Sequence, residues 1–197
     1  RNDGRGAWRS DGTPSVANVL GAPAPALAGQ FVVFAFGSGE IMGSFRRGGT
    51  QRWSTTVVGA RVGRVVSRIG DITGSPVVVG NRIYVANAAG SAAALEVSSG
   101  DRIWTARQGA LGPMFPAGGS LFAVNDFNQI IRLSASDGTL IWAQDLPGFV
   151  AKKPRRRTEI VAHYGPILAG GQIIVASNDG LLRFFAPVDG QMTRTVA

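Results

Sequence analysis

The sequence predicts an all-β fold, a β-propeller of four-stranded antiparallel blades, and three observations lead to it. A Gly-x-x-x-Trp signature recurs at Gly4 to Trp8, Gly49 to Trp53, Gly100 to Trp104 and Gly138 to Trp142, with Gly190 followed at the same offset by Arg194. The last four copies are each preceded, by 20 residues, by another glycine, at Gly29, Gly80, Gly118 and Gly170. A third marker stands ten residues into each unit, as Gly39, Gly90, Asn128 and Gly180. The intervals between signatures are 45, 51, 38 and 52 residues, the period of propeller blades rather than of helical repeats.

The elements follow in chain order. Residues 1–10 read as the closing turn and last strand of a preceding blade, and successive blades are expected at 25–53, 76–106, 114–146 and 166–197. The second is the clearest. Pro76–Val79, Arg82–Ala86, Ala93–Val97 and Arg102–Thr105 alternate apolar and polar residues over strand lengths, separated by Gly80-Asn81, Asn87–Gly90 and Ser98–Gly100. Glycine and asparagine tolerate the positive φ that tight turns need. Four short strands per unit make one propeller blade. Because propellers close with typically 4–8 blades, four blades and a stray strand read as part of a larger ring, expected to have eight.

A four-stranded sheet exposes two apolar faces and is stable only between neighbours. The recurrent tryptophans therefore read as seam residues that specify architecture, each able to bury roughly 150–250 Å². Four blades alone would leave two such faces uncovered, so self-association of this length of chain is an expectation.

Composition bounds the chemistry. The 197 residues are 45% hydrophobic with 28 glycines and no cysteine. Disulfides, thiolate metal sites and a cysteine nucleophile are thereby removed. No apolar run reaches the 18 residues or so that suggest a membrane-spanning helix. Twelve acidic residues are thinly spread, without the carboxylate cluster that a calcium site takes, and His163 is the only histidine. It reads as a loop or strand-edge residue beside Tyr164. Ser38, between Gly37 and Gly39, lacks the flanks of a nucleophile elbow and reads as a hairpin turn. No catalytic, metal or cofactor residue is assigned.

Two segments invite a binding role. Arg68 and Asp71 stand three residues apart on the connection between two blades, and loops on a rigid scaffold are where binding usually resides. Asp71 bonding the amides of its own turn is the alternative. Lys152-Lys153-Pro154-Arg155-Arg156-Arg157 lies between the third and fourth blades of a chain with formal net charge +8. It reads first as a solvated loop, next as a contact for an acidic partner or anionic lipid headgroups. Nucleic acid comes last, because no aromatic residues interleave to stack bases, and no nucleic-acid partner is expected.

The run Ala94-Leu95-Glu96-Val97-Ser98-Ser99-Gly100-Asp101-Arg102-Ile103-Trp104 resembles the repeats of quinoprotein dehydrogenases. Arg68-Ile69-Gly70-Asp71-Ile72-Thr73-Gly74-Ser75-Pro76-Val77-Val78 is similar to a motif of the BamB family, eight-bladed lipoproteins of the outer-membrane β-barrel assembly machinery, in a version that looks alphaproteobacterial. The resemblance implies a non-catalytic scaffold on the periplasmic face of the outer membrane, with a lipid anchor upstream. It also implies binding to a POTRA domain of the central assembly protein, BamA, and assistance to unfolded outer-membrane proteins. Carried over, Asp71 matches the first acid of the family's contact loop while Thr73 replaces the second. A neighbouring loop falls at Ala17-Asn18-Val19-Leu20, where Val19 keeps apolar character and Leu20 replaces an arginine. Arg68, Asp71, Val19 and Leu20 are thus the expected partner-binding residues. The other expectation is a quinone-dependent dehydrogenase with its pyrroloquinoline quinone site in further blades.

Overall fold

A computed structural model of the chain describes residues 6–12, 23–59, 72–150, 155 and 158–197. Those residues form four antiparallel sheets of four strands each, with strands in sequence order within every sheet. The first comprises β1 (Ala26–Ala28), β2 (Phe31–Ala35), β3 (Glu40–Phe45) and β4 (Gln51–Thr56). The second comprises β5 (Val77–Val79), β6 (Arg82–Ala86), β7 (Ala92–Glu96) and β8 (Arg102–Ala106). The third comprises β9 (Phe115–Ala117), β10 (Ser120–Val124), β11 (Gln129–Ser134) and β12 (Leu140–Asp145). The fourth comprises β13 (His163–Ala169), β14 (Gln172–Ser177), β15 (Leu182–Phe185) and β16 (Met192–Val196). Residues 6–10 carry no strand. A fourth strand pairs only with a third, and none precedes it among the described residues.

First strands of successive sheets adjoin one another, β1 to β5, β5 to β9 and β9 to β13, so each sheet runs outward from an inner strand. The core lies between sheets, since one sheet has no inside. Phe31, Val33 and Ile41 meet Ile83, Val85 and Leu95 across the first seam. Tyr84, Ala94 and Trp104 meet Leu121, Ile131 and Leu133 across the second. Phe122, Val124 and Ile130 meet Ile173, Val175 and Phe185 across the third. Each fully buried apolar side chain of this kind contributes roughly 1.5–3 kcal/mol.

The repeated signature is one device used at every seam. The Trp53 indole N–H donates to the Val97 carbonyl at 2.9 Å, that of Trp104 to Ala135 at 3.2 Å and that of Trp142 to Pro187 at 3.1 Å. The acceptor is always the residue three before the signature glycine of the next sheet. That glycine forms the floor of the seat: a Cβ on Gly100, Gly138 or Gly190 would stand 2.4–2.6 Å from the arriving indole ring. Trp8 enters the first sheet in the same way, donating to the Arg46 carbonyl at 3.0 Å over Gly49. Each glycine thus receives the tryptophan of the sheet before, and each tryptophan reaches the glycine of the sheet after.

A bulge sits beside every one of these positions. Pairing of third with fourth strand skips Arg52, Ile103, Ile141 and Thr193 in turn, the residue just before Trp53, Trp104, Trp142 and Arg194. Bulges increase local twist and re-aim a side chain, here turning the indole toward the neighbouring sheet. Arg194 occupies the tryptophan position of the last sheet, where its guanidinium lies 4.1 Å from the centre of the Phe184 ring. Leu182, Val188, Met192 and Val196 of that sheet are exposed.

Candidate functional site

Strand alternation decides which loops share a face. Turns between first and second strands, and between third and fourth, lie at one end of the sheets. Turns between second and third strands, and the connections between sheets, lie at the other. The tryptophan seats belong to the first end. The connections before β1, from β4 to β5, from β8 to β9 and from β12 to β13 all open at the second, which is the candidate binding face.

That face is braced by buried asparagines at equivalent places in the second and third sheets. Asn87 is fully buried; its side-chain oxygen accepts the Ser91 amide at 2.9 Å and its amide nitrogen donates to the Val57 carbonyl at 3.3 Å. Asn125, equally buried, accepts the amides of Phe127 and Gln129 at 3.0 and 2.9 Å. Such side-chain to backbone bonds stand in for pairs that the turning chain cannot make itself. Thr73, the residue in the place of the family's second acid, donates to the Ala110 carbonyl at 2.5 Å. Its hydroxyl is therefore spent on holding the β4–β5 connection against the β8–β9 connection.

Val19, Leu20, Arg68 and Asp71, the four expected partner-binding residues, lie outside the described residues, and so do Lys152, Lys153, Pro154, Arg156 and Arg157. Their described neighbours are informative. The Ala24 amide donates to the Ser75 hydroxyl at 3.0 Å, so the chain entering β1 is fastened to the chain entering β5. Leu20 is four residues before Ala24, and Asp71 four before Ser75.

At the other end of the face, the connection from β12 to β13 is anchored by a polar network. His163, at the start of β13, places Nε2 3.0 Å from the Pro147 carbonyl and Nδ1 2.6 Å from the Ser177 hydroxyl. A carbonyl only accepts, so Nε2 carries the proton and Nδ1 accepts from Ser177. The Ser177 oxygen in turn accepts from the Arg183 guanidinium at 2.6 Å, which pairs with Asp179 at 2.5 Å. Arg183 is only 5% exposed. It stands three residues after the Gly180 marker, where the other sheets bury Met42, Ala93 and Ile131. A buried charge is costly unless paired and hydrogen-bonded, and Asp179 and Ser177 supply both. The Arg183 hydrogen bonds hold the Asp179 carboxyl below its ordinary range.

Burial lowers the His163 pKa below the ordinary histidine value, with the Arg183 charge adding to the effect and the bonded Pro147 carbonyl and the Asp179 charge opposing it. The folded chain therefore resists a proton that the unfolded chain takes up near pH 6.5. The stability contributed by this site is complete above that pH and is lost as pH falls through it toward the folded-state value. His163 is the chain's single histidine, so its ring resonance is unambiguous in a proton NMR titration. The expected midpoint lies below 6.5, with thermal stability declining over the same interval in wild type. A midpoint above 6.5 would contradict the neutral, Ser177-accepting ring.

Sequence reasoning assigned His163 to a loop or strand edge and missed Asp179, Ser177 and Arg183. The signal was present: superposing the four repeats on their markers puts one arginine in a column of buried apolar residues. Among the described residues no three His, Asp or Glu side chains converge as a metal site.

Comparison with known proteins fits this architecture. The family profile described as outer membrane protein assembly factor BamB matches residues 1–126 and 88–193. The outer membrane protein assembly factor BamB of Yersinia pestis is 24% identical over 191 residues, covering 96% of this chain and 46% of that protein. The chain thus spans a little under half the length of this curated relative. Among solved structures, BamB from Moraxella catarrhalis superposes with a TM-score of 0.64 at 17% identity, over 88% of this chain and 47% of that one. A europium-containing methanol dehydrogenase superposes with the same TM-score at 13% identity, over 88% of this chain and 41% of that one. At such identities the structural likeness shows the fold alone, which this dehydrogenase and the assembly factor share. The sequence profile spans nearly all of the chain and names the lineage: this chain belongs to the BamB family of outer membrane protein assembly factors.

Proposed function

We propose that the chain is part of a non-catalytic scaffold of the outer-membrane β-barrel assembly machinery, acting on the periplasmic side of the outer membrane. It docks a POTRA domain of a BamA-like protein through the face that carries the inter-sheet connections, and so assists folding and insertion of outer-membrane proteins. The observation that carries this reading is the bond between Ala24 and Ser75. Four residues of chain reach at most about 14 Å, so Leu20 and Asp71 are each tethered within that distance of one point on one face. A pair of loops so tethered suits a single contact patch, to which Val19 and Leu20 would bring apolar side chains and Arg68 and Asp71 charged ones. Such a patch, mounted on sheets braced by Asn87 and Asn125, fits a rigid docking surface.

The expected test result is loss of POTRA binding on charge reversal. In calorimetry with the intact parent propeller and isolated POTRA domains, wild type binds. Asp71→Arg weakens binding by about thirtyfold to several thousandfold, the range for truncating one partner of a close charge pair, with an unchanged circular dichroism spectrum. Unchanged affinity would remove Asp71 from the contact, and absence of wild-type binding would remove the docking reading. The exposed apolar face of the fourth sheet is where a further sheet, or a second copy, would seat.

A further inference from the structure

We infer that the start of β13 is an acid-sensitive latch: when the His163 ring takes up a second proton, its bond to Ser177 is lost and His163 and Tyr164 part from β14. The strand is built to open there. His163 pairs with Ser177 and Tyr164 with Ala176, then the register shifts before pairing resumes at Ile167 with Ile174. Gly165, in the gap, has φ +101°, a backbone state that glycine adopts without steric cost, and Pro166 has no N–H to give to the ladder. The bulge thus separates a two-residue end from the Ile167–Ala169 ladder, and an end so separated can open without unfolding the sheet. Tyr164 is 62% exposed, so its packing adds little to hold the end shut.

What holds it is polar. The Ala162 amide donates to the Asn178 side-chain oxygen at 2.9 Å, and the Asn178 amide to the Ala162 carbonyl at 3.0 Å. The His163 ring spans the gap between the Pro147 carbonyl and the Ser177 hydroxyl. With a neutral ring every hydrogen in this chain of bonds has an acceptor: Nε2–H on Pro147, the Ser177 hydroxyl on Nδ1, and the Arg183 N–H on the Ser177 oxygen. A proton on Nδ1 turns that acceptor into a donor. Two donors then face the Ser177 oxygen, and the hydrogen of that serine is turned out of its bond at a residue only 9% exposed. A buried donor without an acceptor is costly.

Charge acts in the same direction. Among the described residues the charged groups that act on the ring are Arg183, from β15, and Asp179, from the turn between β14 and β15. β14 and the Pro147 arm face it with a hydroxyl and a carbonyl, which do not titrate. Asp179 is engaged by Arg183 through both carboxylate oxygens, and these bonds hold it below the ordinary carboxylate range, so it stays ionised while the ring titrates. An imidazolium therefore faces a second cation whose counter-ion is already taken. The closed latch resists the proton, and the open one, with its ring in water, accepts it near the ordinary value of about 6.5. Acid thus favours the open form and neutral pH the closed one. The column that holds Arg183 carries Met42, Ala93 and Ile131 in the other sheets, so the latch is particular to the fourth. This inference is independent of POTRA docking, although the latch opens on the same face.

The test is hydrogen exchange read by mass spectrometry on the intact parent propeller, at pH values on either side of about 6.5, with protection corrected for the intrinsic rate at each pH. Peptides over Ala162–Tyr164 and Ser177–Asp179 are expected to be less protected than β7 at every pH. Their protection should fall by up to about tenfold per pH unit below about 6.5. His163→Gln, which keeps a side-chain N–H for Pro147 and cannot titrate, should abolish that fall. Protection equal to that of β7, which means opening only with the whole fold, or protection indifferent to pH would overturn the inference in wild type alone. A fall that persists in His163→Gln would overturn it as well.

Discussion

Trp53→Ala is expected to lower unfolding stability by about 3–5 kcal/mol, the range for deleting a large buried aromatic side chain. The indole is 8% exposed and stands in the first seam among Val57, Ile72, Leu95 and Val97. Removing it empties the seat over Gly100 and leaves the Val97 carbonyl without its 2.9 Å donor. A buried carbonyl so orphaned carries a desolvation cost of about 1–3 kcal/mol, one component of that total. Trp53→Phe keeps most of the apolar area and loses the donor, so its loss should be smaller, about 1–3 kcal/mol. Urea unfolding followed by circular dichroism checks both. Equal losses for the two variants would show that the apolar area contributes nothing and that the lost hydrogen bond, common to both, is the whole effect.

Gly100→Ala should be far more damaging than Gly80→Ala, although both glycines have positive φ, +75° and +58°. At Gly80 an added methyl meets nothing within 4 Å, so the cost is the left-handed backbone alone, roughly 1–2 kcal/mol. At Gly100 the same methyl would lie 2.4 Å from Trp53 Cε3, and the indole is held by both packing and its bond to Val97. The ring must leave its seat or the two sheets must part, adding an overpacking cost of typically 1–3 kcal/mol. Together these predict a loss of about 2–5 kcal/mol, relieved in part when Trp53→Phe is combined with Gly100→Ala. A double variant whose losses simply add would contradict the direct contact.

The blade architecture was legible because a propeller repeats its solution, and repeats expose themselves as spacing. Gly29, Gly80, Gly118 and Gly170 mark inner hairpins whose φ values lie between +52° and +58°, and Asn128, the one marker that is not glycine, adopts φ +62°. The tryptophans were rightly placed at seams. Their acceptors were not legible, because a carbonyl three residues before a glycine carries no sequence signature of its own. Strand ends also shifted: β4 continues to Thr56, and β13 begins at His163, ahead of Pro166. Pairing with the neighbouring strand, rather than local residue preference, decides both. Arg183 was overlooked because an arginine in a strand ordinarily points to water, and only Asp179, Ser177 and the repeat column reveal it as buried. The family was readable from the motif around Asp71, whereas Thr73 looked like a lost acid and proves to be a bracing residue.

The most direct measurement is site-specific photo-crosslinking of the intact parent propeller in its native envelope, with the reactive group placed at position 71 or at position 98. Position 71 belongs in sequence to the connection from β4 to β5, the connection proposed for docking, and Ser98, an exposed residue in the turn between β7 and β8, lies on the tryptophan-seat side. The docking account predicts an adduct with the BamA-like protein from position 71 and none from position 98. An adduct from position 98 alone, or from neither position, would contradict it.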